Sequence, residues 1–187
     1  CDINGIAIAE SPDTGRVGNN YGDRDYIIEP LKGKSMVSIP IMSKNLKAPV
    51  FSIAAPILDN GKVIGVLAGA TDLSKPNFLS KITDNRYGKT GGYLLVSPKI
   101  RKIVYATDKK RIMEVLPGPG VSPLIDRYIG GYEGYSLEVN PFGVEVLTSA
   151  KGIPVAGWYI AGIIPTAEAF APIHSMQQRM MLAAIFL

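Results

Sequence analysis

The sequence has very few of the residues that build catalytic and metal centres. Its 187 residues include one cysteine, Cys1, and one histidine, His174, so no internal disulfide framework and no metal cluster of recognisable spacing is expected. A Ser-His-Asp triad would have to recruit His174, and the Gly-x-Ser-x-Gly sequence that presents a nucleophilic serine is absent. We therefore expect no catalytic residues, no metal, no cofactor and no enzymatic activity in this chain.

The chain also lacks a strong charge of one sign. Its net charge of +4 comes from 20 basic and 16 acidic residues that are scattered along the sequence. No basic tract is interleaved with aromatic residues, which is the pattern that a nucleic-acid surface requires. We therefore expect no nucleic-acid partner.

A long apolar run is likewise missing. The C-terminal run 180–187 is wholly apolar and follows a polar border, Gln177-Gln178-Arg179, but a bilayer span needs roughly 20 apolar residues. We predict a helix from Thr166 that runs into a truncated transmembrane segment. The alternative is a buried amphipathic terminal helix.

What the sequence does contain is a strand-rich pattern with frequent turns. With 20 glycines and 14 prolines, a long helical bundle is disfavoured. Two apolar runs, 50–58 and 62–70, flank Asn60-Gly61, which is a strong signal for a β-hairpin. The second run is almost continuously apolar and predicts a central strand that is covered on both faces. Pro56 should move the first run toward a sheet edge or a bulge.

The same mixture of elements occurs in two successive stretches. The first combines strands at 3–9 and 36–42, the hairpin, and helices at 23–32 and 73–82. The second begins near Gly91 and combines a helix at 122–129 with strands at 92–98, 102–107, 135–139, 144–150 and 157–164. Helices set between strands in this way predict the α+β class with two small domains in tandem. Gly88-Lys89-Thr90 resembles the end of a phosphate-binding loop, but Thr83 stands where that loop needs glycine, so we predict an interdomain turn.

Three residues are candidates for binding a small dipolar molecule. Arg24 offers a planar fork for a carboxylate, Tyr26 offers an aromatic wall and a hydroxyl, and Asp72 follows an apolar strand where it can receive an ammonium group. Each residue has an alternative role. Arg24 can pair with a neighbouring acid (Asp23, Asp25 or Glu29), Tyr26 can belong to the core, and Asp72 can cap the next helix.

Two sets of segments resemble the two modules of double Cache sensor domains. The first set resembles the membrane-distal module and consists of Asp2-Ile-Asn-Gly5, Gly18-Asn-Asn-Tyr-Gly-Asp-Arg-Asp-Tyr26, Lys32-Gly33, Ala55-Pro-Ile57, Gly65-Val-Leu67 and Asp72-Leu-Ser74. The second set resembles the membrane-proximal module with its exit helix and consists of Gly88-Lys-Thr-Gly-Gly-Tyr93, Gly157-Trp158 and Pro165-Thr-Ala-Glu-Ala-Phe-Ala-Pro172. The resemblance covers nearly the whole chain.

This resemblance implies two PAS-like modules with antiparallel sheets, preceded by a long N-terminal helix that is missing here. The distal module would span residues 1–85, the proximal module 86–165 and the exit helix 166–187. It also implies a periplasmic sensor of the bacterial inner membrane, dimeric in the full receptor. Such a receptor signals to a cytoplasmic output such as a diguanylate cyclase or phosphodiesterase, a histidine kinase or a chemotaxis module.

The resemblance assigns Arg24 and Tyr26 to the carboxylate of an amino-acid ligand and Asp72 to its amine. The chain departs from the amino-acid-binding branch at three aromatic positions, which Asn19, Ile27 and either Ile41 or Met42 occupy. An amino acid and another small carboxylate therefore both remain candidate ligands. The alternative function is a structural or interaction module at the membrane surface with no small ligand.

Overall fold

The chain forms two compact units. The computed structural model describes residues 1–43, 46–140 and 142–185. The first unit comprises Cys1–Asn77 with Pro154–Ala156, and the second comprises Phe78–Ile153 with Gly157–Leu187. The units divide at Asn77, whereas the sequence places the boundary after residue 85. The assignment of the units as membrane-distal and membrane-proximal stays a prediction.

The first unit is a small antiparallel sheet with one helix. Helix α1 spans Asp25–Leu31, and the strands are β1 (Met36–Val37), β2 (Ile41–Met42), β3 (Pro49–Asp59) and β4 (Lys62–Asp72). Strand β3 pairs with β1 and β2 along one edge and with β4 along the other. Helix α1 packs on β3 and β4, where Ile27, Ala54 and Val66 form a buried cluster.

The hairpin between β3 and β4 confirms the prediction from the sequence. Asn60 and Gly61 have φ angles of 47° and 78°, which are the two positive values of a type I′ turn. The register shifts between Ile57 and Leu58, directly after Pro56, so the predicted irregularity near this proline is present. The prediction of an edge or a bulge is therefore confirmed as a register shift, and β1 and β2 pair with β3 only before Pro56.

Strand β4 differs from the prediction of a central strand. Among the described residues β3 is its one strand partner, and Ile64 and Leu67 are 52% and 70% exposed. At its other edge the main chain of Val66 exchanges hydrogen bonds with Cys1, and a Cβ atom on Gly65 would lie 2.6 Å from the Cys1 carbonyl oxygen. The prediction of a central strand covered on both faces is therefore wrong for the described residues.

The predicted strand at 3–9 is also wrong. The carboxylate of Asp2 accepts hydrogen bonds from the amides of Asn4 and Ile6, each at 2.9 Å. This local turn competes with a strand for the same amides. The segment retains a single antiparallel bridge, between Ile6 and Asn20.

The second unit is built on a five-stranded antiparallel sheet in the order β6-β5-β9-β8-β7. Its elements are α2 (Ser80–Thr83), β5 (Gly92–Ser97), β6 (Lys102–Ala106), α3 (Pro123–Ile129), β7 (Gly134–Val139), β8 (Glu145–Ile153), β9 (Trp158–Pro165), α4 (Thr166–Ala169) and α5 (Ala171–Ile185). Short 3-10 turns lie at Pro98–Ile100 and Lys109–Arg111. The α+β class with antiparallel sheets is thereby confirmed.

The core of the second unit lies between this sheet and α3. Ser122 accepts a hydrogen bond from the amide of Ile125 and Pro123 follows it, so α3 begins with a standard N-cap. The helix places Tyr128 in the core against Tyr159, and the Tyr128 hydroxyl lies 2.7 Å from Ser136 Oγ. Strand β6 is buried from Ile103 to Ala106.

The terminal helix α5 is exposed at every position from 171 to 181. The alternative of a buried terminal helix therefore does not hold for these residues. No helix in the described part of the chain combines the length and the apolar character needed to cross a membrane. Residues 186–187 of the predicted membrane segment lie outside the described residues.

Candidate functional site

Arg24 occupies the N-cap position of α1. Its backbone is extended, and its side chain makes no capping hydrogen bond to the helix. The guanidinium Nε lies 3.4 Å from Asp23 Oδ1, and the Arg24 side chain is 57% exposed. A surface ion pair of this kind contributes little to stability, so the guanidinium can be taken over by a ligand at small cost.

Tyr26 is the second residue of the same helix and is half-buried. It packs against the cluster of Ile27, Ala54 and Val66, which is the core role that the sequence left open. Burial raises the pKa of the Tyr26 hydroxyl, and the positive charge of Arg24 opposes that shift. The phenol is therefore neutral at physiological pH and is available as a hydrogen-bond donor and acceptor.

Asp72 is the last residue of β4. Its Oδ1 accepts hydrogen bonds from the amide and the hydroxyl of Ser74, at 2.9 and 2.6 Å, and its Oδ2 lies 3.5 Å from Lys75 Nζ. The Ser74 hydroxyl is the largest cause that lowers the pKa of Asp72. The carboxylate is thus ionised and closes a local turn. It does not cap the next helix, because α2 begins only at Ser80 with Leu79 at its N-cap, and the predicted helix at 73–82 is limited to these last residues.

The strand pattern relates Asp72 to α1. Side chains at alternate positions of a strand share a face, so Val66, Ala68, Ala70 and Asp72 lie on the face that α1 covers at Val66. Ala68 and Ala70 are exposed and small, which leaves this strip open between the helix and Asp72. No hydrogen bond or ion pair joins Asp72 to Arg24 or Tyr26 among the described residues. A pocket shared by all three stays a prediction.

A second arrangement, at the start of α4, was missed by the sequence analysis. The carboxylate of Glu168 accepts hydrogen bonds from the amides of Lys89 and Thr90 and from the Thr90 hydroxyl. The Lys89 amide and then the Thr90 hydroxyl hold the pKa of Glu168 below its ordinary value of 4.5. The resemblance of Gly88-Lys89-Thr90 to a phosphate-binding loop was the available signal, since successive amides in such a turn bind an anion.

Two glycines are required for this arrangement. Gly88 has a φ of +69°, and a Cβ atom there would lie 2.2 Å from Glu168 Oε1. A Cβ atom on Gly91 would lie 2.2 Å from the Tyr87 carbonyl oxygen. The turn therefore admits no side chain at either position without moving the loop or the carboxylate.

Together, these features define the class of protein. Each unit carries an antiparallel sheet with a helix packed on one face, and the five-stranded sheet of the second unit continues directly into α4 and α5. This is the PAS-like α+β architecture, here in tandem.

The family follows from the sequence comparison. A family model described as Cache domain matches residues 1–173, and the chain belongs to that family. No curated protein sequence matches the chain.

Solved structures share this fold. The extracellular domain of the histidine kinase mmHK1S-Z3 has a TM-score of 0.63 and 18% identity, with 85% of this chain and 60% of that chain covered. The ligand-binding domain of the Pseudomonas aeruginosa amino-acid chemoreceptor PctB, in complex with L-Arg, has a TM-score of 0.62 and 22% identity, with 86% and 68% covered. The sensor domain of the V. cholerae histidine kinase DctB has a TM-score of 0.58 and 16% identity, with 88% and 69% covered. The chain thus spans 60% of the length of the first of these structures.

Proposed function

We propose that this chain is the extracytoplasmic sensor domain of a bacterial membrane receptor. The single observation that carries the proposal is the Cache domain match over residues 1–173. The fold is shared with extracellular, sensor and ligand-binding domains of histidine kinases and chemoreceptors. A sensing role also agrees with the shortage of residues for catalysis and metal binding in the sequence.

The ligand in this proposal is a small organic molecule, either an amino acid or a carboxylate, held by the first unit. Arg24 would receive its carboxylate, because the guanidinium has only a surface ion pair to exchange. Tyr26 would supply the adjoining wall. Asp72 would receive an amine, since it is ionised and lies on the face of β4 that α1 covers. The ligand-binding domain of PctB was solved with L-Arg bound, which favours this ligand class.

Output in this proposal travels through the C-terminal helix. Helix α4 begins directly after β9, and Glu168 attaches its first turn to the loop before β5. A change in the second unit would thus reach α5 and, through a membrane segment beyond it, a cytoplasmic output in a homodimeric receptor. A diguanylate cyclase or phosphodiesterase, a histidine kinase or a chemotaxis module would each fit.

A thermal-shift screen at pH 7 against amino acids and organic acids tests the ligand site. A ligand at 100 times its Kd stabilises the folded state by about 2.7 kcal/mol. For a chain of this size that raises Tm by roughly 5–10 °C. Arg24→Ala should abolish the rise, whereas Arg179→Ala, which removes the same charge from the exposed helix α5, should leave it intact.

Two outcomes would contradict the proposal. If no compound in the screen raises Tm, the alternative of a membrane-surface interaction module without a small ligand is preferred. If a compound raises Tm equally in the Arg24→Ala variant, ligand sensing stands but the assignment of Arg24 is wrong.

A further inference from the structure

The second unit contains a cavity that the first-unit ligand site does not use. Its volume is about 210 Å³, and it lies where β5 begins and β9 ends. Tyr93, Val146 and Ile163 supply apolar wall, and Arg86, Arg111 and Asn140 supply polar wall. A water molecule needs only roughly 10–15 Å³, whereas drug-sized ligands occupy roughly 300–1,000 Å³. An occupant would therefore be a small molecule of a few non-hydrogen atoms.

The polar groups of this cavity include donors without a partner. Arg86 makes no hydrogen bond or ion pair within the described residues, so its guanidinium is free to bind. Asn140 Oδ1 accepts from the amides of Phe142 and Val144, at 2.9 and 3.0 Å. Because those contacts identify the oxygen, the Asn140 Nδ2 group is the remaining donor, and it has no hydrogen bond to any described residue.

The unpaired donors around the cavity, and not its net charge, favour an occupant rich in acceptor oxygens. Arg111 gives Nε and Nη2 to the carboxylate of Glu114, at 2.7 and 2.9 Å, and keeps Nη1 available. Asp108 is the one acidic residue of the lining, and its Oδ1 already accepts from the amide of Lys110 at 3.0 Å. The charges of Arg111 and Glu114 offset each other as a pair, which leaves the guanidinium of Arg86 and the carboxylate of Asp108 in the wall. An unpaired guanidinium and an amide donor that line the same cavity are both groups that donate to a carboxylate.

We propose that this cavity is a second ligand site, which binds a small organic carboxylate of about two to four carbon atoms. Arg86 and Asn140 Nδ2 donate to the carboxylate, and the aromatic ring of Tyr93 with Ile163 contacts its carbon chain. The apolar wall selects an organic acid over an inorganic anion. This site is independent of Arg24, Tyr26 and Asp72, so it does not rest on the proposed first-unit site.

Thr90 connects this cavity to the exit helix. It contributes to the cavity wall, and its amide and hydroxyl both donate to Glu168 in α4. An occupant that displaces Thr90 changes the attachment of Glu168. Thr90 thus contacts both the cavity and α4, where the proposed output begins.

NMR titration of the whole 187-residue chain tests the site. Sodium acetate and sodium succinate are the probes, and acetamide and succinamide are their neutral controls. The expected result is saturable shifts of the Gly91 and Gly92 amides and of the Asn140 side-chain amide with the acids and not with the amides. Arg86→Gln should weaken the Kd by about 10- to 100-fold, the range for hydrogen bonds to a charged group.

Two further variants make the test specific. Asn140→Asp keeps an oxygen for the Phe142 and Val144 amides but places a negative charge where Nδ2 donates, so it should abolish binding. Lys99→Gln removes one positive charge from an exposed 3-10 turn and should leave the Kd unchanged. An equal loss in Lys99→Gln would reduce the effect to net charge and would overturn the proposal.

The titration distinguishes the failure of one proposed site from the failure of the other. Shifts confined to the first unit and abolished by Arg24→Ala would support the proposed function and overturn the second site. Shifts at Gly91 and Gly92 that disappear in Arg86→Gln would support the second site whatever Arg24→Ala does. No saturable shift at Gly91 or Gly92 with either acid would overturn it outright.

Discussion

Replacing Gly88 by alanine should loosen the attachment of the exit helix. Gly88 has a φ of +69°, and the left-handed conformation costs an L-residue roughly 1–2 kcal/mol. The new Cβ atom would also lie 2.2 Å from Glu168 Oε1, so the carboxylate must leave the amides of Lys89 and Thr90. The backbone cost alone should lower Tm by roughly 2–8 °C for a chain of this size.

A double-variant cycle separates the two causes. In a Glu168→Ala background the obstructing carboxylate is gone, so Gly88→Ala should retain only its backbone cost. The two substitutions together should therefore lower Tm by less than the sum of their separate effects. Gly131→Ala is the matched control, because Gly131 has a φ of +91° with no atom within 4 Å of the added Cβ. Its effect should be the same with and without Glu168.

Trp158 provides the assay. It is the only tryptophan of the sequence, and it is buried in the second unit. Thermal melts followed by its fluorescence at pH 7 report the unfolding of that unit for the parent chain and the variants. If Gly88→Ala lowers Tm equally in both backgrounds, the Glu168 carboxylate does not lie over Gly88, and the proposed link between the loop and α4 is refuted.

Two further predictions concern charge and packing. The pKa of Glu168 is lowered in the folded chain, so its carboxylate stabilises the fold above the ordinary value of 4.5, and this contribution is lost as the pH falls through the lowered pKa. The Tm difference between the parent chain and Glu168→Gln should hold at neutral pH and shrink below pH 4.5; an unchanged difference in acid would contradict the assignment. Ile27 is 1% exposed, so Ile27→Ala should destabilise the first unit by about 2–5 kcal/mol and Ile27→Val by about 0.5–1.5 kcal/mol, measured by denaturation followed by far-UV circular dichroism. Equal effects of the two substitutions would show that Ile27 is not packed as the structure places it.

Local signals in the sequence predict much of the fold. Asn60-Gly61 identifies a type I′ turn, because few other residue pairs adopt two positive φ angles. Ser122-Pro123 identifies the start of α3 for a similar local reason. The predicted strand at 3–9 fails where a side chain, Asp2, captures amides that a strand would need. Its apolar residues carry no sign of that competition.

Contacts between residues far apart in the sequence cannot be predicted from such local signals. The sequence predicts that Glu168 is an acid in the first turn of a helix and that Gly88-Lys89-Thr90 forms a turn. Nothing local in the sequence indicates that they bind each other across 79 positions. The donors of Arg86 and Asn140 are a similar case, since they line the same cavity only after β9 has paired with both β5 and β8.

The position of Thr90 limits what a ligand in the second unit can do. A ligand shifts a conformational equilibrium only by the difference in its affinity for the two states. A contact with Asn140 alone, which lies outside the loop that Glu168 holds, would not make the two states unequal. Competition for the Thr90 hydroxyl, which at present donates to Glu168, makes the two states unequal. Signalling from this cavity therefore depends on contacts between the ligand and the loop before β5, in which the Thr90 hydroxyl is shared with Glu168.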